Sequence, residues 1–115
     1  MSDSFGSVTV RGKVFEKDII VHTNGSITKR KKKRSKHLKP IYGHTPLSEC
    51  ELEFLSEEKP AVVYVGKGYE GALPITPEAL QVLGKYETVI VPTPELIARI
   101  EHECRAFVAI IHVTC

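Results

Sequence analysis

The sequence predicts an α/β domain: a three-layer arrangement with a central mixed, mostly parallel sheet, helices on both sides and additional antiparallel N-terminal strands. Three observations carry this prediction. Two uninterrupted apolar runs, Ala61 to Val65 and Phe107 to Ile111, have the composition of strands covered on both faces. Thr76-Pro77-Glu78 and Thr93-Pro94-Glu95 each combine a capping residue, a proline at the first helical position and an acid in the first turn. The first third of the chain instead alternates short apolar runs with turn signals.

In order, Ser7 to Val10 alternates, Arg11-Gly12 supplies a turn, and Lys13 to Glu16 continues as a second strand. Asp18 to His22 reads as a strand that turns at Thr23-Asn24-Gly25-Ser26 and returns over Ile27 to Arg30. An Asn-Gly pair there predicts a type I′ turn, which requires positive φ at both central residues. From Lys31 to Gly43 the periodicity breaks, and repulsion between like charges predicts a mobile basic loop. Ser48 followed by Glu51 is a capping-box pattern, predicting a helix to about Lys59 with Leu47, Cys50, Leu52, Phe54 and Leu55 on its apolar side.

The Ala61 to Val65 strand follows, and the helix opened by Thr76 presents Ala79, Leu80 and Leu83 as a buried stripe. Val89 to Val91 is the next strand. The Thr93 helix carries Leu96, Ile97, Ile100 and Cys104 at helical spacing, with Glu95 and Arg99 as an i,i+4 pair. The last two thirds therefore read strand–helix–strand–helix–strand, which calls for right-handed crossovers between parallel strands.

A chain of 115 residues forms one domain, here residues 1–115, with enough length to bury a core unaided. No apolar run reaches membrane-spanning length, so no membrane insertion is expected. Met1 to Gly6 has neither a basic nor an apolar targeting region, and a cytoplasmic location is expected. Cys50, Cys104 and Cys115 are widely spaced and form no C-x-x-C pair, which fits reduced thiols.

Charge is segregated. Residues 29 to 39 hold eight of the 16 Lys and Arg and no acid. The other eight against 14 Asp and Glu leave the rest of the chain at −6. Lys29, Arg30, Lys31, Lys32, Lys33, Arg34, Lys36 and Lys39 are thus the candidate contacts for a polyanion or an acidic partner. Only Tyr42 lies near as a stacking aromatic, and no nucleic-acid recognition motif is present.

Val62 to Val65 runs into a literal G-x-G-x-x-G at Gly66, Gly68 and Gly71. In a dinucleotide fold the helix leaves this turn directly, but Pro74 stands where that helix would need a backbone donor. The real helix start waits until Thr76, and no acid follows Val91 to hold a ribose. The motif reads instead as a long glycine-hinged loop. Gly66, Lys67, Gly68, Tyr69 and Gly71, with Thr76, Pro92 and Thr93, are the candidate ligand cleft at the strand ends, where free amides would favour an anion.

No catalytic constellation is visible. His22, His37, His44, His102 and His112 lack metal-ligand spacing, and no metal or other cofactor is expected. There is no G-x-S-x-G, so nucleophilic hydrolysis has no foothold. His112 and Cys115 are close enough in sequence to meet, but a reactive thiolate needs an environment that sequence does not display.

Taken together, Asp18-Ile19-Ile20-Val21, Tyr42-Gly43-His44-Thr45, Val65-Gly66-Lys67-Gly68, the Leu80 to Leu83 helix and His112-Val113-Thr114-Cys115 resemble the Mth-type domain of unknown function. That family includes archaeal and bacterial stand-alone domains, an adipogenesis-associated eukaryotic protein and a mitochondrial complex I assembly factor. The resemblance spans nearly the whole chain, with residues 31 to 39 its least typical part. It implies a mixed sheet with one strand antiparallel to the rest, no catalytic residues, and an accessory or assembly role with a protein partner. Nonspecific nucleic-acid binding at residues 29 to 39 and small-molecule or phosphate binding at the glycine loop are the alternatives. Oligomeric state is not encoded in any pattern found.

Overall fold

The computed structural model describes residues 6–43 and 45–114; Met1 to Phe5, His44 and Cys115 lie outside the described residues. The first two strands, β1 (Val8–Val10) and β2 (Lys13–Phe15), form a separate antiparallel pair. Arg11 and Gly12 between them have φ of 51° and 79°, so the type I′ turn occurs here.

The next hairpin joins β3 (Ile19–Val21) to β4 (Ile27–Lys29), as the alternation predicts. Its turn differs from the Asn-Gly expectation, because Gly25 takes positive φ (87°) and Asn24 does not. The Gly25 amide donates to the His22 carbonyl at 2.9 Å and the His22 amide to the Ser26 carbonyl at 2.8 Å. This is a three-residue loop closed by a glycine bulge, and the Asn24 side chain accepts from the Ser26 amide instead of sharing the turn.

The basic segment is not irregular. Short 3₁₀ turns at Lys32–Arg34 and Lys36–Leu38 lead into α1 (Lys39–Tyr42). Nor does Ser48 open a long helix: a 3₁₀ turn spans Glu49–Glu51, and α2 covers only Leu55–Glu58. Ser48 makes no capping bond; its hydroxyl meets that of Ser35 at 2.5 Å, and Glu51 is drawn to Arg30. An ion pair in the interior outcompetes the local capping box.

The main sheet is completed by β5 (Val62–Gly66), β6 (Glu87–Val91) and β7 (Phe107–Ile111), in the order β4-β3-β7-β5-β6. β5 is parallel to both β6 and β7, whereas β3 is antiparallel to its neighbours β4 and β7. One strand of five, β3, thus opposes the rest. The whole is a mixed α/β fold with a five-stranded sheet and a two-stranded one.

Successive residues of β5 enter different cores, as the two-residue strand period requires. Val62 and Tyr64 pack with Val8, Val10, Leu96, Ile97 and Ile111. Val63 and Val65 pack with Leu47, Leu52, Leu55, Ala79 and Leu83. The helix α3 (Pro77–Leu83) begins as expected, with Thr76 accepting from the Ala79 amide at 3.1 Å. Leu80, however, lies on the flank of the Ala79–Leu83 stripe and remains exposed.

The last helix, α4 (Thr93–Ile100), includes Thr93 as its first residue rather than its cap, and ends before exposed Cys104. The Glu95–Arg99 pair forms at 3.0 Å. Thr93 does not cap because its hydroxyl is committed elsewhere. It accepts from the Gly68 amide at 3.0 Å and donates to the His112 carbonyl at 2.6 Å, tying the ends of β5 and β7 to α4. Gly66 leaves room for this, since a Cβ there would stand 2.9 Å from the Thr93 hydroxyl.

Thr93→Val keeps the shape and orphans a buried donor and a buried acceptor. It is expected to cost about 2–3 kcal/mol in urea unfolding, with Thr93→Ser recovering most of the loss.

Candidate functional site

The strongest concentration of buried charge lies where β3 begins and β7 ends. Arg30 follows the short strand β4 and turns inward, leaving 5% of its surface exposed. Its guanidinium reaches Asp18 Oδ2 through Nη1 at 2.9 Å, and Glu51 through Nε at 2.7 Å and Nη2 at 3.0 Å. Nη2 also donates to the Pro46 carbonyl at 2.8 Å. Burial opposes the charge on Arg30, but the hydrogen bonds and charges of Glu51 and Asp18 outweigh it and raise its pKa. Ser35, on the basic segment, donates to the same Glu51 carboxylate.

Asp18 is shared. Its Oδ1 accepts from the Val113 amide at 3.0 Å, its Oδ2 lies 2.7 Å from His112 Nδ1, and Lys32 Nζ stands 3.4 Å away. Burial alone would raise its pKa. The His112 bond and charge, the Val113 amide and Lys32 more than reverse this, and the carboxyl titrates well below its ordinary range. An ionised acceptor at Nδ1 places the ring hydrogen there, so Nε2 faces the Thr114 hydroxyl at 3.1 Å. A second relay flanks it: Glu58 Oε2 lies 2.5 Å from His22 Nδ1, and His22 Nε2 lies 2.7 Å from the Thr28 hydroxyl.

These groups border two cavities. A wide groove of about 1010 Å³ runs along Lys17, Lys29, Lys31 and Lys33 to Thr114. A smaller one of about 190 Å³ lies between Lys32, Lys39, Thr45, Leu73, His112 and Thr114.

Seven of the eight predicted polyanion contacts, namely Lys29, Lys31, Lys32, Lys33, Arg34, Lys36 and Lys39, are exposed. Arg30 is the correction, because it is spent inside the protein holding two carboxylates. Lys29 is crowded by a hydrogen bond and charge from Lys17, and further by Lys33, which lowers its pKa.

In the glycine loop, Gly66, Gly68, Thr76 and Thr93 are buried, Lys67, Tyr69 and Gly71 are half-buried, and Pro92 is exposed. The loop amides are used internally: Lys67 donates to Val91, Gly68 to Thr93, Tyr69 to Thr114 and Gly71 to Gly68. Thr76 belongs to another neighbourhood, its amide donating to Leu47 and its hydroxyl capping α3.

Sequence reasoning missed Asp18, Glu51 and Thr114. An acid directly before the apolar Ile19-Ile20-Val21 run was the available signal, since a carboxylate at a strand entrance needs a partner. Among the described residues no group of three or more His, Cys, Asp or Glu is arranged to hold a metal ion, and no helix is long and apolar enough to cross a membrane. Cys50 and Cys104 are free thiols.

The chain has relatives among solved structures. The chain is 33% identical to the conserved hypothetical protein PH1505 from Pyrococcus horikoshii OT3, over 100% of this chain and 98% of that one, with a TM-score of 0.85. It is 39% identical to a protein designated MT938, over 100% and 96%, with a TM-score of 0.80. The chain belongs to the family of these two proteins. No protein-family model and no curated protein matches it.

Arg30→Met should cost about 3–5 kcal/mol in urea unfolding at neutral pH, because it strands two buried carboxylates. Asp18 has a folded pKa below its ordinary 3.8, so its stabilisation is present above that pH and lost as pH falls toward the folded value. The gap between wild type and Asp18→Asn should therefore narrow below about pH 4, seen by urea unfolding across pH 7 to 2.5.

Proposed function

We propose that this protein is a cytoplasmic, non-enzymatic accessory or assembly module that docks an acidic segment of a protein partner along its basic groove. The observation that carries this reading is the anchored geometry of the cations. Ser35 and Arg30 are both fastened to Glu51, so the lysines between them line one groove on a folded support. Ordering the segment during folding lowers the entropy cost of binding. Lys17 and Lys29 crowd one another on the lining of this groove, and an incoming carboxylate relieves that repulsion.

Membership of the Mth-type family is part of this proposal, supported by the residue patterns and by the single antiparallel strand β3. So is the three-layer arrangement: two cores fed by alternate residues of β5, one receiving α4 and the other α3, support it. The nucleic-acid alternative has less support. Tyr42, the nearby aromatic, is half-buried, and the one ring among the groove's lining residues, His22, is held by Glu58 and Thr28.

Fluorescence anisotropy with a labelled oligoglutamate peptide and a single-stranded oligonucleotide tests the reading. The peptide should bind the full chain at 50 mM salt (a concentration of about 0.05 M, where screening is weak) and weaken steeply toward 0.5 M. Lys31→Gln with Lys33→Gln should cost at least about tenfold in affinity, roughly 1.4 kcal/mol. Preference for the oligonucleotide, or no binding by the peptide, would overturn the acidic-segment reading.

A further inference from the structure

We propose that the small cavity beside His112 is a binding site for a small oxyanion, held by Lys32 and Lys39 and by the hydroxyls of Thr45 and Thr114. Its volume, about 190 Å³, is below the range of pockets for drug-sized ligands and suits a phosphate- or sulfate-sized group. Its polar lining consists of two ammonium groups, an imidazole and two hydroxyls, with no carboxylate among the lining residues. Asp18, behind the ring, is buried and engaged by Arg30, His112 and the Val113 amide, with Lys32 Nζ 3.4 Å away.

The hydrogen-bond order makes the site responsive to its occupant. With a neutral ring, Nε2 accepts from the Thr114 hydroxyl, and the hydroxyl has no hydrogen left for the cavity. When the ring gains a proton, Nε2 donates to Thr114 Oγ1 and the hydroxyl donates onward to the anion. The same step leaves Asp18 facing an imidazolium, the partner that a buried carboxylate favours. The other charges facing this ring region are Arg30 beyond β4, Lys32 on the first 3₁₀ turn and Lys39 on α1. In its imidazolium form His112 therefore leaves the Thr114 hydroxyl free to donate to the anion. This is distinct from docking in the larger groove, which Lys39, Thr45 and the His112 ring do not line.

The test titrates the full chain with sulfate, which does not itself ionise near neutrality, and follows the His112 ring nitrogens by NMR. Calorimetry gives the stoichiometry and the affinity. Expected are saturable one-to-one binding and movement of the His112 ring-nitrogen signals as the site fills. Thr114→Val, which changes no charge, should weaken sulfate at least tenfold, as should Lys32→Gln with Lys39→Gln. Lys13→Gln with Lys85→Gln, equal in charge but remote, should leave affinity unchanged.

Inorganic phosphate and glycerol phosphate in parallel distinguish a site for a free anion from one for a phosphoryl group on an organic molecule; tighter binding by either still supports an oxyanion site. Absence of saturable sulfate binding, or binding that ignores Thr114→Val and leaves the His112 ring unmoved, would overturn the proposal. Circular dichroism of each variant verifies that it is folded, and the two surface lysine changes keep the test available if Thr114→Val is not.

Discussion

The four hydrogen bonds of the Arg30 guanidinium fasten the β3–β4 edge of the sheet to the segment 46–51, which lies outside the sheet's ladders. They join the entrance of β3 through Asp18, the Pro46 carbonyl, and the turn at Glu51, while Asp18 passes the connection to the end of β7 through His112 and Val113. A buried guanidinium is stable only if its charge and donors are matched, and here two carboxylates and a carbonyl match them. The local structure nearby follows from that demand. Glu51 is turned away from a capping role, Ser35 is pulled under the basic segment, and the start of the segment becomes a pair of 3₁₀ turns.

The same pairing sorts the charges. Arg30 and Lys32 counter Asp18 and Glu51 at the base of the segment, while exposed Lys29, Lys31, Lys33 and Arg34 line the groove. Repulsion among these outer cations is tolerated because water screens them and because the anchor lies in the interior. The two carboxylate–imidazole–threonine relays lie at opposite ends of β3, His22 just past its exit and Asp18 just before its entrance. The one antiparallel strand thus carries both onto the border of the same groove.

The glycine loop illustrates how a motif can be real and still not perform the chemistry associated with it. At the carboxyl ends of parallel strands a crevice is usual. In this protein the Thr93 side chain enters it, and the loop amides turn toward Thr93, Val91, Thr114 and one another. Gly66 is needed for that close approach of α4, and Gly68 for the turn that follows. Pro74 marked the departure from a dinucleotide fold in the sequence itself; the role of Thr93 had no such marker, since a Thr-Pro-Glu triplet looks the same whether its hydroxyl caps a helix or bridges two strands.

What the sequence determined by itself is what neighbours a few residues apart settle without competition from a tertiary partner. The β-branched runs of β5 and β7, the Thr76 cap, the Glu95–Arg99 pair and the order of strands and helices are all of this kind, because their energies depend on local backbone preference and burial period. The tertiary structure decided what became of the polar residues. Arg30 meets Glu51 21 positions away, and Asp18 meets His112 94 positions away. A buried charge chooses the partner that the fold brings within reach, and that choice is invisible along the chain. Hence the sheet was legible from residue patterns, the basic segment was legible only as a concentration of charge, and the site at His112 emerged only when β3 and β7 were laid side by side.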